Sequence, residues 1–141
     1  MLRKTIGLLL LALSSPVFAQ AGAGHPAPRL VSADLPDYPP IAYAARVAGS
    51  VRVRVEITAG KVTRAEVASK DGQYPMMLAN ASLENVRTWH FAPSVNDSFV
   101  VTYTYVLAGV PDDAWRNPKI EISPSLDVTV TARPPVVEEE R

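Results

Sequence analysis

Catalysis needs groups that attack, move protons or hold a metal, and this chain of 141 residues has few. It has two histidines, His25 and His90, and no cysteine. His25 lies among glycine, alanine and proline with no positioned partner. His90 follows Trp89 where a helix is expected to end, and there a ring N–H or a cation meets the last carbonyls. Nothing around either histidine spells a triad or a metal pair. Asp112 and Asp113 fall in a proline-flanked stretch that reads as a turn. Glu138, Glu139 and Glu140 form a solvated terminal run. No glycine-rich phosphate loop or nucleophile elbow occurs. The expectation is no catalytic residue, no metal, no cofactor and no small-molecule substrate.

Charge removes another class of partner. Formal net charge is zero. The first nineteen residues read as a secretory signal: Arg3 and Lys4, then the apolar run "IGLLLLAL" (6–13), then small residues before a cut at Gln20. The run is too short to span a bilayer, which takes about 20 apolar residues. Without Arg3 and Lys4, twelve basic residues face fourteen acidic ones. A near-neutral, slightly acidic chain argues against binding nucleic acid or an anionic membrane surface. Exported chains can use disulfides, and this one has none to use. Its stability rests on its core.

The elements come next. Residues 20–34, "QAGAGHPAPRLVSAD", have no apolar period and read as a flexible leader. Pro39 and Pro40 suit a first helical turn, and Gly49 suits a helix exit, so 39–48 is expected to be a short helix. Residues 50–58 alternate, with Val51, Val53, Val55 and Ile57 on one face and Ser50, Arg52, Arg54 and Glu56 on the other. Gly60 marks a hairpin into 62–69. The period slips there: Val62 is in phase with Arg64 and Glu66, which a bulge or a strong twist would reconcile. Residues 76–91 read as a second helix, stopped by Pro93. Residues 99–107 form a strand with Phe99, Val101, Tyr103, Tyr105 and Leu107 on one side.

The expected fold is α+β, in the order α-β-β-α-β over residues 35–108. It is a three-stranded antiparallel sheet with two helices on one face. Residues 109–132 form a tail with one or two strands, at 119–123 and 126–132, that could extend the sheet. Residues 133–141 are expected to be disordered. The sequons at 80–82 and 96–98 are three-residue matches and weak. A three-stranded sheet has two open edges, and open edges recruit extended peptides by adding a strand.

The order of motifs resembles the TonB C-terminal domain family. Tyr38, Pro39 and Ala42 match its opening. Gly49 and the alternating valines follow, then Gly60, Lys61 and Val62 at the hairpin, then Arg87, Trp89, His90, Phe91 and Pro93. The resemblance implies a periplasmic, non-catalytic binding domain that couples inner-membrane energy to transport across the outer membrane. It implies protein or peptide partners, above all outer-membrane TonB-dependent receptors, met by pairing an edge strand with a short receptor segment. The backbone of Val101, Thr102, Tyr103, Thr104 and Tyr105 is the expected contact. The alternative is an envelope scaffold with a self-closed edge and no role in energy transduction. An unpaired final strand could also form a homodimer.

Two departures from the family pattern stand out. The leader has about fifteen residues where full transducers carry a membrane helix and a long proline-rich spacer. The tail also carries a segment like a receptor box: Asp127, Val128, Thr129, Val130, Thr131 and Ala132 within "LDVTVTA". Such a strand could lie on 99–107 of its own chain or of a neighbour, or it could be an ordinary strand that enlarges the sheet.

Overall fold

The structure, a computed structural model, describes residues 27–68, 75–111 and 117–137. The signal segment, His25, Asp112, Asp113 and Glu138–Glu140 lie outside the described residues. In chain order the elements are β1 (Leu30–Ser32), α1 (Pro40–Ala44), β2 (Gly49–Thr58), β3 (Lys61–Val67) and α2 (Met76–Val86). They continue with β4 (His90–Phe91), β5 (Asp97–Leu107), β6 (Lys119–Ile122) and β7 (Val128–Ala132).

The expected three-stranded antiparallel sheet is corrected to a seven-stranded mixed sheet, ordered β1-β4-β3-β2-β5-β7-β6. The class remains α+β. The central triplet β3-β2-β5 is antiparallel as expected. Short strands have been added to both of its flanks. β4 and β1 extend the β3 side, and β7 and β6 extend the β5 side. β7 runs parallel to β5, which makes the sheet mixed. The additions escaped the sequence because β1 and β4 have three and two residues, too few to display a period. β1 also sits in the stretch read as flexible leader.

The hairpin between β2 and β3 follows from two residues. Ala59 and Gly60 both have positive φ, 49° and 78°, the pairing that matches the twist of the strands it joins. A Cβ at Gly60 would stand 2.5 Å from the Phe91 carbonyl oxygen, so the turn has no room for a side chain. The slip in β3 is a bulge. Glu56 pairs with Arg64 and Ile57 with Val62, leaving Thr63 as the extra residue. The Thr63 hydroxyl donates to the Glu56 carbonyl at 3.2 Å.

Both helices are shorter than expected. α1 starts at Pro40 after Pro39 and ends by Ala45. Its left-handed exit is Arg46 (φ 56°), not Gly49. The Arg46 N–H donates to the Tyr43 carbonyl and the Val47 N–H to that of Ala42, which together satisfy the last carbonyls. Ala42 and Tyr43 face the core, while Ile41 is 71% exposed. α2 stops at Val86, well before Pro93, because the chain leaves the helix after Arg87 and His90–Phe91 form β4.

The core forms one cluster. Val51, Val53, Val55 and Ile57 of β2 meet Val101, Tyr103 and Tyr105 of β5, and Leu78, Ala79 and Val86 of α2 cover them. Val128, Val130 and Ala132 of β7 belong to the same cluster. Burying each of these valines contributes about 1.5–3 kcal/mol.

Candidate functional site

β5 is the long strand on which the expected contact lies, and its side chains alternate strictly. Val101, Tyr103 and Tyr105 point into the core, while Thr102 and Thr104 are half-buried on the opposite face. The Thr104 hydroxyl meets that of Ser50 on β2 at 3.2 Å. One edge of β5 pairs with β2 from Asp97 to Tyr105. The other edge is the candidate site.

Two buried polar residues of α2 fasten β5 from beneath. The Tyr103 hydroxyl donates to Asn85 Oδ1 at 2.8 Å, and the Trp89 indole N–H donates to the same oxygen at 3.1 Å. The Asn85 amide then donates to the Asp34 carbonyl at 2.9 Å. Next to this set, the Ser82 hydroxyl donates to the Leu78 carbonyl at 2.7 Å, so it accepts from the Tyr105 hydroxyl at 2.9 Å. Every hydroxyl and amide in this seam has a partner, as burial requires.

The tyrosines are locked as neutral donors. Burial pushes the Tyr103 hydroxyl up, with a further push from neighbouring Tyr105. Burial raises Tyr105 too, partly offset by its bond to Ser82. Tyr38 is pushed up to about 12, first by burial and then by Tyr105. Its hydroxyl donates to the Val47 carbonyl, and its ring meets that of Tyr105 edge-on, with centroids 5.6 Å apart. A hydroxyl that holds its proton so tightly is neither a general base nor a nucleophile at neutral pH. Among the described residues no three His, Asp or Glu side chains gather as a metal would need. Among them, too, no helix is long and apolar enough to cross a membrane.

The outer edge of β5 is occupied over its C-terminal half. β7 lies parallel to it with Tyr103 opposite Val128, Tyr105 opposite Val130 and Leu107 opposite Ala132. At one end the Asp127 carboxylate accepts the Thr102 N–H at 3.0 Å. At the other the Ala108 N–H donates to the Ala132 carbonyl at 3.0 Å. All six residues of the box-like tail therefore sit on or beside the strand expected to make the partner contact.

The residues that carry the family resemblance lie elsewhere. Tyr38, Ala42, Trp89 and Phe91 are buried, Pro39 and Val62 are half-buried, and Gly49 and Gly60 start β2 and close the hairpin. Arg87 caps α2, and Pro93 is exposed beyond β4. They build the scaffold. His90 is exposed, and its Nδ1 meets the Thr88 carbonyl at 2.9 Å. Sequence reasoning missed Ser82 and Asn85. The available signal was their spacing with Leu78, which puts all three on one stripe of α2.

A family model for the Gram-negative bacterial TonB protein C-terminal matches residues 34–108. The chain belongs to this family. TonB C-terminal domains are non-catalytic energy-transduction domains of the Gram-negative envelope. The matched span runs from Asp34, which joins the Asn85 network, to the residue after β5. β1, β6 and β7 fall outside it. No curated protein matches the chain.

Proposed function

We propose that this chain is a periplasmic adaptor of TonB C-terminal type that binds extended segments of outer-membrane transport receptors by strand addition on β5. The contact is the outward backbone of Val101–Tyr105, with Thr102 and Thr104 supplying the exchangeable hydrogen bonds. One observation carries this reading: the outer edge of β5 accepts a parallel strand, and the strand it holds is the box-like segment Asp127–Ala132. Family membership supplies the kind of partner. Affinity in strand addition comes from the main chain and selectivity from alternate side chains, so no catalytic group is required. Export through a cleaved signal at 1–19 belongs to the same reading, and a mature N-terminus at Gln20 would support it.

The test is recovery from an outer-membrane extract. Retrieval of an identified β-barrel receptor, with β5 amides newly protected from exchange in the complex, is the expected result. Failure under conditions where a receptor-binding member of the family retrieves one would overturn it. The second reading would then stand: an envelope scaffold with a self-closed edge. It is favoured by the deep burial of Val128 and Val130.

A further inference from the structure

β7 covers β5 only in part. Its register begins with Tyr103 opposite Val128, and the Asp127 carboxylate reaches one residue further, to Thr102. From Asp97 to Val101, β5 has β2 on one side and, among the described residues, no strand on the other. The Thr102 N–H points toward the tail, and strand groups alternate with a period of two. The backbone groups of Val100 and Ser98 therefore open to the same side. The Ser98 N–H is held locally by the Asp97 carboxylate at 2.7 Å.

The core face of this stretch is unfinished too. Val128, Val130 and Ala132 stand beside Tyr103, Tyr105 and Leu107, but no β7 residue stands beside Phe99. Phe99 is half-buried and leans edge-on against Phe91, with centroids 5.9 Å apart. The covered part of the edge therefore continues into an uncovered part with the same direction, the same alternation and an apolar side chain left to cover.

We infer that β7 is a resident strand that a longer partner segment displaces, and that Ser98–Val100 is where the partner begins to pair. This rests on the adaptor reading above and adds its regulation. The partner segment is extended, runs parallel to β5 and carries apolar residues at its core-facing positions. It reaches at least four residues further toward its own N-terminus than β7 does, with one apolar side chain for Phe99.

The reason is competition. A tethered strand faces its edge at an effective concentration of about millimolar, so a free segment no longer than β7 loses to it. A longer segment pairs first with the open stretch and is then tethered itself. It replaces β7 residue by residue, starting with the Asp127–Thr102 hydrogen bond.

The full chain tests this, since it has no cysteine of its own. Thr104 and Thr129 are register partners on the half-buried outer face. Neighbouring strands lie about 4.8 Å apart, within disulfide reach, so Thr104→Cys with Thr129→Cys locks the tail when oxidised and frees it when reduced. Val106→Cys with Thr131→Cys, also register partners, serves if the first pair fails to fold by circular dichroism. Two synthetic peptides are the probes: one with the sequence of residues 127–132, the other with Thr-Val-Thr-Val added at its N-terminus, which sets its valines beside Phe99 and Val101 in the register of β7.

The expected result is that the reduced protein binds the long peptide at least about tenfold more tightly than the short one, and that oxidation removes this binding. Equal affinity for both peptides, lost on oxidation, overturns the role of Ser98–Val100 and leaves the adaptor reading in place. Binding that survives oxidation overturns displacement of β7. No binding by the reduced protein overturns both the inference and strand addition on β5.

Discussion

The sheet is extended at both ends by strands outside the family-matched span, and the two extensions differ in kind. On the leader side β1 lays three residues on β4, and Val31 is 63% exposed. On the tail side β7 lays five residues on β5, with Val128, Val130 and Ala132 buried in the main core. β1 is held by two registered pairs with a shift between them. β7 is held by five registered pairs and by the Asp127 carboxylate. The leader strand trims an edge, whereas the tail strand completes the core. Removing β7 therefore takes energy, and any partner on β5 has to supply it.

The sharpest way to break this contrast is to charge both strands. Val130→Asp puts an unpaired carboxylate among apolar groups and is expected to destabilise the protein by about 3–5 kcal/mol. Val31→Asp is expected to stay within about 0.5 kcal/mol, because its site is open to water. Denaturant midpoints at constant slope measure both. Equal losses would mean that the leader strand is as integral as the tail.

Asn85 ties the two sides together, since it holds Tyr103 of β5 and the carbonyl of Asp34 after β1. Asn85→Ala leaves the Tyr103 hydroxyl and the Trp89 indole without an acceptor, for an expected loss of about 2–4 kcal/mol. Hydrogen exchange should then speed up in both β5 and the Asp34 region, rather than in one alone.

The tyrosines sharpen the comparison by pH. Tyr38, Tyr103 and Tyr105 hold their protons more tightly folded than unfolded. The stability they contribute is complete below the ordinary tyrosine value of about 10. It falls as pH rises through the folded values, which for Tyr38 is about 12. Alkaline titration should show the absorbance of three of the five tyrosines appearing together with unfolding. Ionisation of more than two with the fold intact would mean that the seam beneath β5 is open to water.

The smallest expected effect is in exchange rates. β7 amides should exchange more slowly than β1 amides, which open by local fraying. Similar protection in the two strands would erase the distinction.

Much of the central sheet is legible in the sequence alone. Val51, Val53, Val55 and Ile57 alternate cleanly because one face is buried and the other wet, and Gly60 marked the hairpin. The slip at Val62 was a true irregularity, resolved by one extra residue at Thr63. The helix ends were misread for physical reasons. Val86 and Trp89 keep a helix-like spacing of three, but Trp89 and Phe91 reach the core from a turn and a strand instead of another helical turn. The left-handed exit fell to Arg46 because the hydrogen bonds to Ala42 and Tyr43 outweigh the steric penalty at a non-glycine residue. The polar seam was hidden because Ser82 and Asn85 look like solvated helix residues until Tyr103 and Tyr105 are set against them.

By itself the sequence determined which faces of its strands are apolar, where the chain reverses at Ala59 and Gly60, and that the tail has strand character. It also carried the motif order that the family match bears out. Only the tertiary structure decided that Val128–Ala132 lies on β5 of its own chain, in parallel, and stops short of Phe99. A period of two selects the face of a strand but names neither its neighbour nor its direction. Those depend on contacts between residues far apart in the chain, which no local pattern records.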